Sequence, residues 1–82
     1  MTIQIIKTTK KELKQIREEN KRIIVRGTKE HYKAGNIINF MACEDGVSEE
    51  PDNTPYRINT VLTWNSAPIE KGYQIIGFEE VI

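Results

Sequence analysis

Lys21 and Arg26 bracket the run Asn20-Lys21-Arg22-Ile23-Ile24-Val25-Arg26, whose middle is three β-branched residues without glycine or proline. Such a run reads as a short strand fit for burial, with cations held at its rim. Cations so placed can bind an anion as point charges. An arginine can also grip phosphate or a base edge bidentately through its planar fork. Lys7, Lys10 and Lys14 precede this run and Arg22 lies within it, so six candidate nucleic-acid contacts gather in the N-terminal third. Nucleophilic and acid–base chemistry find less support. His31 has no sequence partner of the kind a catalytic dyad needs and reads as a surface loop residue. Cys43 has no flanking basic group to activate it and reads as a small packed hydrophobe.

The charge distribution sharpens the case for an anionic ligand. Net charge is zero, yet ten Lys/Arg stand against four Glu through Lys33, and two Lys/Arg against eight Asp/Glu from Ala34 onward. Unless folding interleaves the halves, the molecule has a basic side and an acidic side. A basic side is the minimum electrostatic requirement for a nucleic-acid partner. The competing reading of the same cations is a solvated helix surface.

Eighty-two residues with 38% hydrophobic and 29% charged side chains describe one small folded domain, residues 1–82, rather than a disordered chain. No apolar run approaches the roughly 20 residues that span a bilayer, and no signal peptide opens the chain, so a cytoplasmic protein without membrane association is expected. The single cysteine excludes an internal disulfide, and no Cys/His spacing suits a metal, so neither metal nor cofactor is expected.

The elements that must position these cations follow in order. Residues 2–6 read as a first strand. Thr9 and Glu12 form a capping-box pattern that starts a helix over 10–19, whose apolar stripe is only Leu13 and Ile16. Asn20 stops it, and residues 22–26 form the second strand. Ala34-Gly35-Asn36 is a turn before a third strand at 37–43, with Ile38, Phe40 and Ala42 on one face. Glu44 to Pro55, with two prolines and five acids, reads as a mobile, exposed acidic loop. It lacks the alternating ligands and closing glutamate of a calcium loop. Residues 56–63 alternate Ile58, Thr60 and Leu62 with polar residues, as a half-buried strand does. Trp64 at its end suits core or rim packing, or base stacking. The last strand covers 73–78, and Gly77 within it signals a bulge or a sharp bend. Strand, helix and four strands make an α+β domain, and closure into a small barrel would protect the edges.

Four segments carry a family resemblance. Glu19-Asn20-Lys21-Arg22-Ile23-Ile24-Val25-Arg26 with Lys33-Ala34-Gly35-Asn36 resembles the Gly-x-Lys-x-x-Glu-x-Arg signature and following turn of the ASCH proteins, a PUA-like superfamily. Gln4-Ile5-Ile6-Lys7 and Glu70-Lys71-Gly72-Tyr73 look closer still to a branch of small phage and bacterial proteins of unknown function. The resemblance implies a PUA-like β-barrel of about five strands with one helix between the first two, and a range of activities from RNA binding to nucleases and an acylated-cytidine hydrolase. In that hydrolase the signature lysine, the residue at its Glu/Thr position and a later carboxylate act together. Here the Glu/Thr position is Ile24, which can neither attack a carbonyl nor move a proton. The resemblance therefore implies a non-catalytic binding domain, with RNA or another nucleic acid as the expected partner. A protein-interaction module and a divergent hydrolase or nuclease are the alternatives.

Overall fold

A computed structural model describes residues 3–51 and 54–81. Its elements are β1 (Ile3–Thr8), α1 (Lys10–Glu18), β2 (Ile23–Gly27), β3 (Ile37–Glu44), β4 (Val47–Ser48), β5 (Tyr56–Thr63) and β6 (Tyr73–Glu80). The expected first strand began at Thr2, which lies outside the described residues. The strands form one mixed sheet in the order β1-β3-β5-β6-β2, with β4 paired to β3 off this path. The β1/β3 ladder is parallel and the others are antiparallel. The fold is α+β with the helix between the first two strands. The sheet is open, with β1 and β2 at its edges.

The helix starts as its cap requires. The Thr9 side-chain oxygen accepts from the Glu12 N–H at 3.0 Å, satisfying one of the orphan donors of the first turn. It ends where Asn20 takes φ 55°, a conformation that asparagine tolerates better than most residues. Ile16 is fully buried and Leu13 packs partly against the same cluster, so the narrow stripe does seat the helix on the sheet. The core is completed by Ile6, Ile24, Ile38, Ile58 and Ile76 around three aromatic rings. Phe40, Tyr56 and Phe78 meet edge-on or tilted, with centroids 5.1 to 5.4 Å apart.

Two expectations are corrected. The acidic segment after β3 is not simply a loop. Asp45 and Gly46, at φ 51° and 78°, form a tight two-residue turn into β4, and Val47 and Ser48 pair back onto Glu44 and Cys43. In β5 the alternation does not run through. A register shift between Ile58 and Thr60 inserts an extra residue, so Val61 packs on the core while Thr60 is exposed. The bulge signalled by Gly77 thus lies on the strand opposite. A Cβ at Gly77 would sit 3.0 Å from Asn59 Oδ1, so glycine is what lets the bulged strand approach. Trp64 sits half exposed, with Lys71 Nζ 5.3 Å from its ring centroid, a placement compatible with rim packing.

Two side chains stitch the open edges where no ladder does. Arg26 Nη2 on β2 donates to the Lys7 carbonyl on β1 at 3.2 Å. Gln4 Nε2 on β1 donates to the His31 carbonyl at 2.9 Å, and Gln4 Oε1 accepts from Asn36 at 3.0 Å. Among the described residues no helix is long and apolar enough to cross a membrane.

Candidate functional site

The crossover β1–α1–β2 pairs two of the six candidate cations with one carboxylate. Ile16 anchors α1 to the sheet, and Glu12 lies one turn earlier on the same face, so its side chain is carried towards β2. There Arg26 Nη2 donates to Glu12 Oε1 at 2.5 Å, and Lys21 Nζ donates to Glu12 Oε2 at 3.1 Å. Arg26 also gives Nη1 to its neighbour's carbonyl, Val25 O, at 2.7 Å. All three charged groups are partly shielded, with side-chain exposures of 19% for Glu12, 24% for Arg26 and 36% for Lys21. Arg26 is therefore a clasp joining helix, β1 and β2 as well as a cation. Beside it opens a groove of about 360 Å³ lined by Lys7, Thr8, Thr9, Glu12, Arg26 and Cys43. Thr8 is 4% exposed, and its Oγ1 has no hydrogen-bond partner among the described residues, leaving a hydroxyl at the groove wall to be satisfied.

The other candidates separate from this group. Arg22 serves the fold. Its Nη1 caps the Ile16 carbonyl at 2.6 Å near the helix end, its Nη2 pairs with Glu80 at 3.6 Å, and its guanidinium lies 5.3 Å from the Tyr56 ring centroid. Lys10 and Lys14 line a second groove of about 450 Å³ with Leu13, Arg17, Glu18, Ala42 and Glu49. There the acidic hairpin leans onto the helix. Lys10 Nζ pairs with Glu49 at 3.3 Å, and the Lys10 N–H donates to Glu44 Oε1 at 3.1 Å. The basic and acidic halves of the sequence are thus partly interleaved at this hairpin and at Arg22–Glu80.

Sequence reasoning missed Glu12 as a charge partner, reading it as half of a capping box. A carboxylate four residues before the buried Ile16 falls on the helix's inward face, and such a group needs a cation. It also missed Gln74, which is buried and donates through Nε2 to the Gly27 and Glu30 carbonyls, both at 2.9 Å, tying the post-β2 loop to β6. Cys43 is half-buried and accepts from Ser48 Oγ at 3.3 Å. His31 is exposed, and it is its backbone carbonyl that is used. Ile24 is 1% exposed and lies inside the core. No group of three or more His, Cys, Asp or Glu side chains gathers as a metal site among the described residues.

The Glu12 cluster gives acid sensitivity a definite sign. Burial alone would raise the Glu12 carboxyl, but hydrogen bonds from Arg26 and Lys21 outweigh it and hold the group below its ordinary value of 4.5. The folded state then binds this proton less readily than the unfolded chain does. The resulting stabilisation is present above about pH 4.5 and is lost as pH falls through the lowered folded value. Urea midpoints should fall on acidification below that point. Glu12→Gln should flatten that acid limb and cost about 1–3 kcal/mol at neutral pH, by leaving two cations poorly paired. An unchanged acid limb in the variant would show that the cluster does not carry it.

No protein-family model matches the chain, and a search of curated proteins finds no match.

Proposed function

We propose that the chain is a non-catalytic, PUA-like binding domain of the ASCH type that takes RNA or another nucleic acid on its basic N-terminal third. The observation that carries this reading is the groove between α1 and the β1/β2 edges. Lys7 and Arg26 line it together with the Glu12 carboxylate, which Lys21 also pairs, and the Thr8 hydroxyl has no partner among the described residues. Counting Lys21, three cations to this one carboxylate leave a positive field at the recess, where a phosphate can replace water without breaking the fold. The helix lies between the first two strands, as in the fold that the resemblance implies, and Arg26 ties the β1 and β2 edges of the open sheet.

Each cation has its part in this reading. Lys7 is exposed and supplies charge directly at the groove. Lys21 and Arg26 are held in place by Glu12, which pre-sets their geometry and blunts their charge. Lys10 and Lys14 extend the field across the helix, and Arg22 adds to it from the helix C-terminus. The Lys10–Glu49 pair is exposed on both sides and worth at most about 1 kcal/mol, so an anionic strand can displace it.

Single-stranded RNA should bind with log affinity falling linearly with log salt, by about 0.7 per phosphate neutralised. Lys7→Ala/Lys14→Ala, which removes two exposed side chains, should weaken binding and reduce that slope by about 1.4 while leaving the unfolding midpoint unchanged. Lys21→Ala/Arg26→Ala should abolish most of the binding, and its folding is to be measured alongside because Glu12 loses both partners. RNA binding equal to wild type in both variants would remove this surface from consideration.

A second reading, a protein-interaction module, is favoured by one feature. Ile3 and Ile5 on β1 and Ile23 and Val25 on β2 are each more than half exposed on the two edge strands. Association with a protein that survives high salt would support it over nucleic-acid binding.

A further inference from the structure

Gly27 is a glycine that the fold does not require. Three of the chain's five glycines, at positions 35, 46 and 72, have positive φ, and Gly77 is crowded by the β5 bulge. Gly27 is the last residue of β2, with no positive φ, and a Cβ there would meet only the Gly72 carbonyl oxygen, at an unstrained 3.8 Å. A glycine in a strand costs backbone entropy and leaves its position without a side chain to pack. Where no local geometry compensates, the remaining reason for it is the close approach of something else.

What lies beside it is a broad recess. A cavity of about 650 Å³ is lined by Arg26, Gly27, Thr28, Lys29, Glu30, Tyr32, Gly72 and Tyr73. Tyr73 is the β6 residue directly across the ladder from Gly27, so the two share a sheet face, and Gly27 places no side chain beside Tyr73 there. That ring is half exposed. On another wall Tyr32 packs partly on the core, and burial raises its phenol above the ordinary value of 10.0, keeping it a neutral donor. The backbone of the slot is fixed. The Thr28 N–H donates to Gly72 O at 3.0 Å, and Gln74 holds the Gly27 and Glu30 carbonyls. Lys29 stands at the rim, and Arg26 lines both this cavity and the phosphate groove.

We propose that the slot between Gly27 and Tyr73 receives a nucleobase, stacked on the Tyr73 ring, while the attached phosphate is held by the cations around Arg26. A flat ring is the ligand shape that an exposed tyrosine beside a glycine admits, and every base has a π-face to offer it. The cations supply what the base's own backbone needs. An apolar peptide would leave Lys29 at the rim facing a neutral partner. The inference rests on the nucleic-acid reading above and extends it from phosphate to base.

The experiment compares a short oligouridylate, an abasic oligomer of equal length and charge, and uridine monophosphate as competitor. Tyr73→Ala should weaken oligouridylate binding by roughly 5- to 150-fold and Tyr73→Phe should restore it, since stacking needs the ring and not the hydroxyl. Gly27→Val should also weaken binding by filling the slot, with an unfolding midpoint equal to or above wild type. The abasic oligomer should bind wild type as weakly as oligouridylate binds Tyr73→Ala. Competition by the monophosphate would assign the slot to free nucleotides, and its failure to compete would assign it to a base within a strand. If wild type binds abasic and uridine oligomers equally, and Tyr73→Ala and Gly27→Val bind as wild type does, the base slot is overturned while the phosphate groove stands. If wild type binds neither oligomer, both readings fall.

Discussion

Ile16→Ala is expected to cost roughly 2–5 kcal/mol of folding stability, a large share of the roughly 5–15 kcal/mol that holds a domain together. Ile16 is fully buried, and α1 is only nine residues long, too short to be stable without the sheet beneath it. Its other apolar contact, Leu13, is only partly buried, so Leu13→Ala should fall at or below the low end of the same range. The loss should also reach the site. Glu12 is carried on this helix, and a helix that rides loose on the sheet releases Lys21 and Arg26 together. Urea unfolding gives the first quantity. The acid limb of stability gives the second, and it should shrink in Ile16→Ala as it does in Glu12→Gln. A cost below about 1 kcal/mol would mean that the helix is held by its polar contacts instead.

The sequence made the elements legible wherever one local signal was uncontested. Thr9 at the cap, Asn20 at the stop, the unbroken Ile23-Ile24-Val25 run and the β5 limits at 56 and 63 each appear where the local pattern places them. Signals that compete were harder to weigh. Asp45-Gly46 is a strong hairpin dipeptide, but it sits in an acidic stretch with two prolines downstream, and composition outweighed it. The β5 bulge was invisible in β5 itself. Its trace was Gly77 on the partner strand, which marks a close approach without saying which strand carries the extra residue.

The site was legible as a list of cations and not as a constellation. Nothing in the spacing of Glu12, Lys21 and Arg26 announces their meeting, because the angle between α1 and β2 brings them together. The fold divides five of the six candidates among separate grooves and pairs the sixth, Lys21, with Glu12, whereas the linear sequence runs them together. The same tertiary arrangement joins Gly27 to Tyr73 across a ladder of residues 46 positions apart.

The second large effect is an absence of catalysis. On the proposed ASCH resemblance the reactive hydroxyl or acid would fall at Ile24, and that side chain is buried in the core cluster with Ile6, Ile16 and Ile76. Lys21, which the same resemblance would make the signature lysine, is engaged by Glu12, so a lysine–carboxylate pair exists, but as a partly shielded ion pair that also takes in Arg26. General acid–base assistance is worth roughly 10²–10⁴ in rate, and a chain without that residue should lose at least this factor relative to an ASCH hydrolase. Purified protein should therefore give no turnover of acylated cytidine and no RNA cleavage above background at neutral pH. Ile24→Thr should not supply activity, because a hydroxyl 1% exposed to solvent reaches no substrate, and it should destabilise the fold by burying a polar group among aliphatic ones. Multiple turnover by the wild-type chain, abolished by Lys21→Ala at unchanged stability, would reverse this conclusion and make the Glu12–Lys21–Arg26 cluster an active site.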